Sequence, residues 1–133
     1  MDVRLQTIAQ NCLDGAYGNT MDFPDIVGTL MTAGFEGYTV DYRRGTSTYY
    51  LPDGDSVELA NAETDGHVAA AFNQPAIADA IRTAQTKAAG YTYKGFCKTV
   101  KAAGCAGYLV SFSGRRVVYF GRTADVHVEH FPS

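Results

Sequence analysis

Apolar side chains recur at two different spacings along this chain. Phe23, Ile26, Val27, Leu30 and Met31 fall at i, i+3, i+4, i+7 and i+8, the stripe of a helix with one buried face. Asp22 is placed to cap that helix, and Pro24 and Asp25 suit its first turn. Tyr93, Phe96, Cys97 and Val100 repeat the spacing, and both stripes run into an Ala-Gly pair, Ala33-Gly34 and Ala103-Gly104. Glycine there can close a helix in the left-handed conformation. Two further stripes precede these. Leu5, Ile8, Cys12 and Leu13 define a helix over Val3–Leu13 that ends at Asp14-Gly15, and Ile77, Ile81, Ala84 and Ala88 define one over Pro75–Ala89 capped by Asn73.

After each Ala-Gly pair the period changes from helical to alternating, which predicts a hairpin. A two-residue loop at Arg44-Gly45 would set Val40 opposite Tyr49 and Tyr38 opposite Leu51. The same loop at Gly114-Arg115 would set Val110 opposite Tyr119. Glycine stands at different loop positions in the two hairpins, so the turn types are expected to differ. Third strands are expected over Ser56–Ala60 and Val126–Phe131, offset by one residue between the halves. Asn61–Phe72 reads as a linker with a short helix from His67, broken before Pro75 because a residue preceding proline avoids helical backbone.

The two runs are related in sequence. A shift of 70 residues lays Phe23–Asp55 over Tyr93–Asp125 with eight identities in 33 positions, against roughly two or three by chance, and they fall on glycines and core positions as repeated units require. Among them are Gly37/Gly107, Tyr38/Tyr108, Val40/Val110 and Tyr49/Tyr119. The expected fold is therefore α+β, an internally duplicated helix-helix-strand-strand-strand unit in a mostly antiparallel sheet with helices on one face. One domain, 1–133, would consist of repeats at about 1–60 and 73–133 joined by linker 61–72.

The helices should cover the face carrying Tyr38, Val40, Tyr42, Tyr108, Val110 and Phe112. The opposite faces differ between hairpins: Thr39, Asp41, Thr48 and Tyr50 in the first, Leu109, Ser111, Val118 and Phe120 in the second. Leu109, Val118 and Phe120 make a more apolar surface than water should meet, and such a patch usually marks an interface. A protein partner, most simply a second copy in a homodimer, is the expected cover.

Composition narrows the class. With 133 residues, 46% hydrophobic and 19% charged, the chain can bury a core and is neither disordered nor dependent on disulfides. No apolar run approaches the roughly 20 residues of a membrane span, and the start of the sequence lacks the pattern of a signal peptide. Three cysteines without paired spacing fit a reducing compartment, so the expected location is cytoplasmic, off the membrane. The net charge of −3 conceals −8 over residues 1–66 and +5 over 67–133. Attraction between the halves accounts for this split, and a basic nucleic-acid face is not evident. Arg43-Arg44 and Arg115-Arg116 put cations on the hairpin tips without changing that conclusion.

The Ala-Gly-x-x-Gly-Tyr turn, present as Ala33–Tyr38 and Ala103–Tyr108, occurs together with Tyr119-Phe120-Gly121-Arg122 and Glu129-His130-Phe131-Pro132. The combination resembles a small bacterial family of unknown function, related to the YdfO-like proteins of cryptic prophages and often labelled phage envelope protein. The resemblance spans about the whole chain and is most specific from Tyr93 to Pro132. It implies a duplicated α+β domain of prophage or bacterial origin and assigns no catalytic residue.

Few residues invite chemistry. Cys12, Cys97 and Cys105 stand where apolar residues are expected and read as small buried hydrophobes. His127 and Glu129 share one side of the last strand with Phe131, opposite Val126, Val128 and His130. Under the one-residue offset their counterparts are Glu58 and Ala60, so the fold does not demand them. They could form a proton-transfer pair, and Arg122 could join them in binding an anion. A metal site would need three or four ligands that no spacing supplies, so no metal and no cofactor are expected. Nine Tyr and seven Phe raise a small-molecule pocket between helices and sheet, although most sit at core periodicity. The leading expectation is a non-enzymatic, prophage-associated accessory protein that binds another protein. The alternative is a small-molecule-binding or weakly enzymatic domain using Arg122, His127 and Glu129.

Overall fold

The computed structural model describes residues 1–64 and 66–132. Helices α1 (Val3–Tyr17) and α2 (Phe23–Ala33) precede strands β1 (Gly37–Asp41), β2 (Thr46–Tyr50) and β3 (Ser56–Ala60). Helices α3 (Gln74–Gln85) and α4 (Tyr93–Ala102) precede β4 (Cys105–Ser111), β5 (Arg116–Gly121) and β6 (Val126–His130). The fold is α+β, with the same order of elements in each half. All six strands form one antiparallel sheet in the order β3-β2-β1-β4-β5-β6.

Local chemistry accounts for the helix starts. Asp22 accepts from the Asp25 amide at 2.9 Å while the Asp25 carboxylate accepts from the Asp22 amide at 3.1 Å, a reciprocal capping box. Asn73 caps α3 through the Ala76 amide, and Thr92 caps α4 through the Gly95 amide. The helices pack on one face of the sheet, α1 along α2 and α3 along α4. Leu30, Ile77, Val100 and Val110 are fully buried between the layers, each contributing roughly 1.5–3 kcal/mol by removal from water.

The centre of the sheet is the β1–β4 pair, with Thr39 opposite Leu109, Tyr38 opposite Val110 and Val40 opposite Tyr108. Residues 70 apart exchange places across this pair. Gly37 and Gly107 flank it, and a Cβ on either would collide with the cross-strand carbonyl oxygen, of Val110 and Val40 respectively. The close approach of the two strands therefore demands glycine at both positions.

Several expectations are corrected. Helix α1 runs past Asp14-Gly15 to Tyr17, and Met21 packs into the space a Cβ on Gly15 would fill. Helix α3 stops at Gln85, before Ala89, and Lys87 and Gly90 then turn through positive φ. The hairpin registers differ by two residues from those expected: Tyr38 faces Tyr49, Val40 faces Ser47, Val110 faces Val117 and Tyr108 faces Tyr119. Asp41 is the cause in the first hairpin, since its carboxylate accepts from the Arg43 and Arg44 amides and draws four residues into the loop. Ser111 does the same in the second by accepting from the Gly114 amide. The loops also match, with the left-handed residue at equivalent places, Gly45 (φ 70°) and Arg115 (φ 52°). The third strands carry no offset, since Val57 pairs with Tyr49 as His127 pairs with Tyr119. Finally, no helix begins at His67. Residues 66–73 run as a strap over α4, with the Ala69 and Asn73 amides donating to the carbonyls of Lys101 and Ala103. Buried Lys101 secures the strap by donating to Thr64 and to the Gly66 carbonyl. Asp65, inside the expected linker, lies outside the described residues.

Replacing Gly107 by Ala should destabilise the protein by more than about 2 kcal/mol, the scale of severe backbone strain, whereas Gly28→Ala, in open space on α2, should be neutral or stabilising. Denaturant unfolding of the two variants checks this; equal midpoints would show that the central pair does not require the close approach.

Candidate functional site

The helix-facing side of the sheet presents two rows of side chains. One crosses Val57, Tyr49, Tyr38, Val110, Val117 and Glu129, and the other crosses Leu59, Ser47, Val40, Tyr108, Tyr119 and His127. Four tyrosines occupy the middle. Tyr38 stacks on Tyr49 with centroids 5.3 Å apart, Tyr108 lies 5.3 Å from Tyr119, and Tyr38 meets Tyr108 edge to face at 6.3 Å. Above them the α1/α2 and α3/α4 pairs part, leaving a cleft of about 940 Å³, within the range of organic-ligand sites. Its walls include Met21, Ile26, Ile81, Ala84, Tyr91 and Phe96.

The phenol hydroxyls make the lining polar at its tips. Tyr93 and Tyr108 share a hydrogen bond of 2.6 Å, and outside the lining Tyr42 donates to the Cys97 sulfur at 3.5 Å. Burial, above all, raises the ionisation of Tyr38, Tyr42, Tyr93, Tyr108 and Tyr119 well above the ordinary phenol range, and holds Tyr91 at about 12. They are neutral donors and apolar faces at physiological pH. Burial also raises the thiols of Cys12, Cys97 and Cys105, the last to about 11. These are poor nucleophiles.

The sequence candidates divide. His127 and Glu129 come together at the edge of the helix-covered face: His127 Nε2 lies 2.9 Å from Glu129 Oε2 and Nδ1 lies 2.8 Å from Gln74 Nε2. With the Gln74 amide donating to Nδ1, the ring proton sits on Nε2 and is donated to Glu129. Glu129 also lines the cleft. Arg122 is not part of this group. It is exposed on the β5–β6 turn and donates to the Val68 carbonyl at 3.3 Å. Because the third strands have no offset, the true counterparts of His127 and Glu129 are Val57 and Leu59, both apolar and half-buried.

The opposite face carries the expected patch. Leu109 is 42% exposed and Val118 and Phe120 are half-buried, the Phe120 ring lying over Gly107. Val126 and Val128 on β6, 55% and 39% exposed, extend it, and Leu109, Val118 and Val128 form one continuous row. The basic hairpin tips lie at opposite ends of the sheet, since β1 and β4 are antiparallel, and do not combine into one surface. The charge split appears at the cleft rim, where Lys87 pairs with Asp22 at 2.8 Å across the halves. Among the described residues, no three His, Cys, Asp or Glu side chains gather to hold a metal ion, and no helix is long and apolar enough to cross a membrane.

Sequence reasoning assigned those rings to the core, where they are buried, and raised a pocket between helices and sheet without placing it over these four. The available signal was identity at both positions of each pair, Tyr38/Tyr108 and Tyr49/Tyr119, where Phe or Leu would fill a dry core equally well.

The profile of a family described only as a protein of unknown function, DUF1398, matches residues 15–130. The chain belongs to the DUF1398 family. The match takes in nearly all of both halves, including the tyrosine floor and the His127–Glu129 pair. No curated protein matches the chain. Family membership therefore leaves the biochemical role to be argued from the cleft.

Two outcomes follow from this geometry. Phenols whose ionisation is raised by folding stabilise the native state below about pH 10, their unfolded value, and that stability is lost as pH rises above it. Most of the tyrosinate absorbance should consequently appear in one steep step together with loss of circular dichroism; gradual titration of the greater part near pH 10 in a folded protein would contradict the burial. His127→Val with Glu129→Leu, which installs the first-half residues, should leave the unfolding free energy within about 1 kcal/mol of the parent; a larger loss in denaturant melts would make the pair structural.

Proposed function

We propose that this protein is a non-enzymatic binding protein whose ligand is a small organic molecule held in the cleft over Tyr38, Tyr49, Tyr108 and Tyr119. The observation that carries this reading is the cleft itself, about 940 Å³ between two helix pairs and floored by four rings. A core serving only stability would close such a space, since empty volume costs packing energy. The cleft has the composition of a ligand site: mostly apolar walls, a few polar tips and, on the sheet, one carboxylate, Glu129. His127 orients Glu129, and Arg122 serves the strap. The halves, 1–60 and 73–133 with 61–72 joining them, are read as copies of one unit, which places the cleft at their junction. The prophage association rests on the resemblance described above.

A second reading is favoured by a separate observation. Leu109, Val126 and Val128 are exposed on the helix-free face, and a protein partner, most simply a second copy of the chain, would remove them from water.

The readings are tested together. N-phenyl-1-naphthylamine, a neutral fluorescent probe, should bind saturably at one site per chain. Ala84→Trp, which fills the cleft from α3, should abolish this while preserving circular dichroism, and Leu109→Lys should leave it unchanged. Binding that survives in folded Ala84→Trp would overturn the cleft reading. Sedimentation equilibrium tests the second reading: a dimer dispersed by Leu109→Lys supports it, and a monomer at every concentration removes it.

A further inference from the structure

We infer that the ligand of this cleft is an organic cation, an aromatic or aliphatic body bearing one positively charged nitrogen that pairs with Glu129. The inference rests on the cleft reading above and adds the charge of the occupant.

The charged side chains lining the cleft are Asp22, Asp25 and Glu129 against Lys87, three carboxylates to one ammonium. The two aspartates stand at the start of α2 rather than on the sheet, and Asp25, like Glu129, keeps one oxygen, its Oδ1, that no described donor meets. Asp22 and Asp25 cap α2 reciprocally, and Asp22 also takes Lys87. Glu129 differs in its place, on β6. His127 occupies its Oε2, and among the described residues no donor meets Oε1. Its side chain is 34% exposed and stands beside the tyrosine floor, where it also raises the ionisation of Tyr119, after burial and Cys105. The first half has Leu59 at this place, so the carboxylate is not required for the strand to pack.

Backbone dipoles do not reverse the sign. The N-terminal residues Phe23 and Tyr93 of α2 and α4 reach the cleft, but so do Ala16 and Gln85 from the C-terminal turns of α1 and α3. Two positive ends are matched by two negative ones. What remains on the sheet is a floor of neutral, buried phenols and, beside them, a carboxylate oxygen that no described donor meets. An anionic ligand would meet that carboxylate with no cation beside it on the sheet. A neutral ligand would fill the apolar walls and leave Oε1 unpaired.

Three matched probes decide the matter: 2-naphthylmethylamine, 2-naphthalenemethanol and 2-naphthaleneacetate, which are cationic, neutral and anionic at pH 7. Titration calorimetry on the full chain should show the amine binding about tenfold tighter than the alcohol, with the acetate weakest. Glu129→Gln should bring the amine within about twofold of the alcohol, and Glu129→Asp should retain part of the preference. Equal binding of amine and alcohol to the parent, or a preference that persists in folded Glu129→Gln, overturns the charge assignment while leaving the cleft reading standing. If none of the three binds and N-phenyl-1-naphthylamine also fails, the cleft reading itself falls and the charge assignment falls with it.

Discussion

The antiparallel contact between β1 and β4 is the constraint from which the remaining architecture follows. It joins two three-stranded units into one sheet about Thr39 and Leu109, and it holds only because Gly37 and Gly107 place no side chain against the opposing carbonyls. Once the strands meet this closely, two consequences are fixed by geometry. The helix pairs must share a single face, and the tyrosines next to the glycines, Tyr38 and Tyr108, are brought edge to face at the middle of the molecule. Above those rings the α1/α2 and α3/α4 pairs leave the cleft.

Tyrosine suits such a space better than any other large residue. Its ring removes apolar area from water, and its hydroxyl can find a partner, as in the Tyr93–Tyr108 contact at the cleft and the Tyr42–Cys97 contact outside it. Each of these bonds adds only about 1 kcal/mol net, but leaving a buried hydroxyl unpaired would cost more than forming it returns. No buried side-chain nitrogen or oxygen among the described residues lacks a partner. A floor that satisfies itself while keeping neutral hydroxyls at its surface is rigid without a ligand and still offers one polar contacts.

The sequence was most legible where a rule acts over a few residues. The stripe through Phe23, Ile26 and Leu30, the cap at Asp22 and the closures at Gly34 and Gly104 all follow from local chemistry, and the alternation in each half was enough to predict six strands. It was least legible where one side chain redirects the backbone or distant segments meet. A carboxylate at Asp41 that captures two amides lengthens the hairpin loop and moves the register by two residues, with hydrophobic alternation unchanged because the shift is even. The burial of Lys101 depends on a strap 35 to 37 residues away in sequence. The cleft is a gap between elements, and periodicity reports only which face of an element is apolar. His127 and Glu129 were found because alternation puts an imidazole and a carboxylate together on one side of the last strand. Their grouping with Arg122 rested on nearness in sequence, which the β5–β6 turn undoes.

The pairing of the strand faces gives that anomaly its meaning. In two halves so alike, positions that differ are those the shared packing does not dictate. Val57 and Leu59 show that the helix-covered edge accepts apolar residues at both places, and β3 presents them in the register in which β6 presents His127 and Glu129. The opposite face differs in the reverse sense, with Glu58 and Thr48 on one half answered by Val128 and Val118 on the other. The second half is thus more polar toward the helices and more apolar away from them than its counterpart. Stability alone favours neither change, since charge near a core is costly to desolvate and apolar surface in water is unfavourable. Both concentrate on β5 and β6, the end of the sheet where the proposed ligand and partner readings converge.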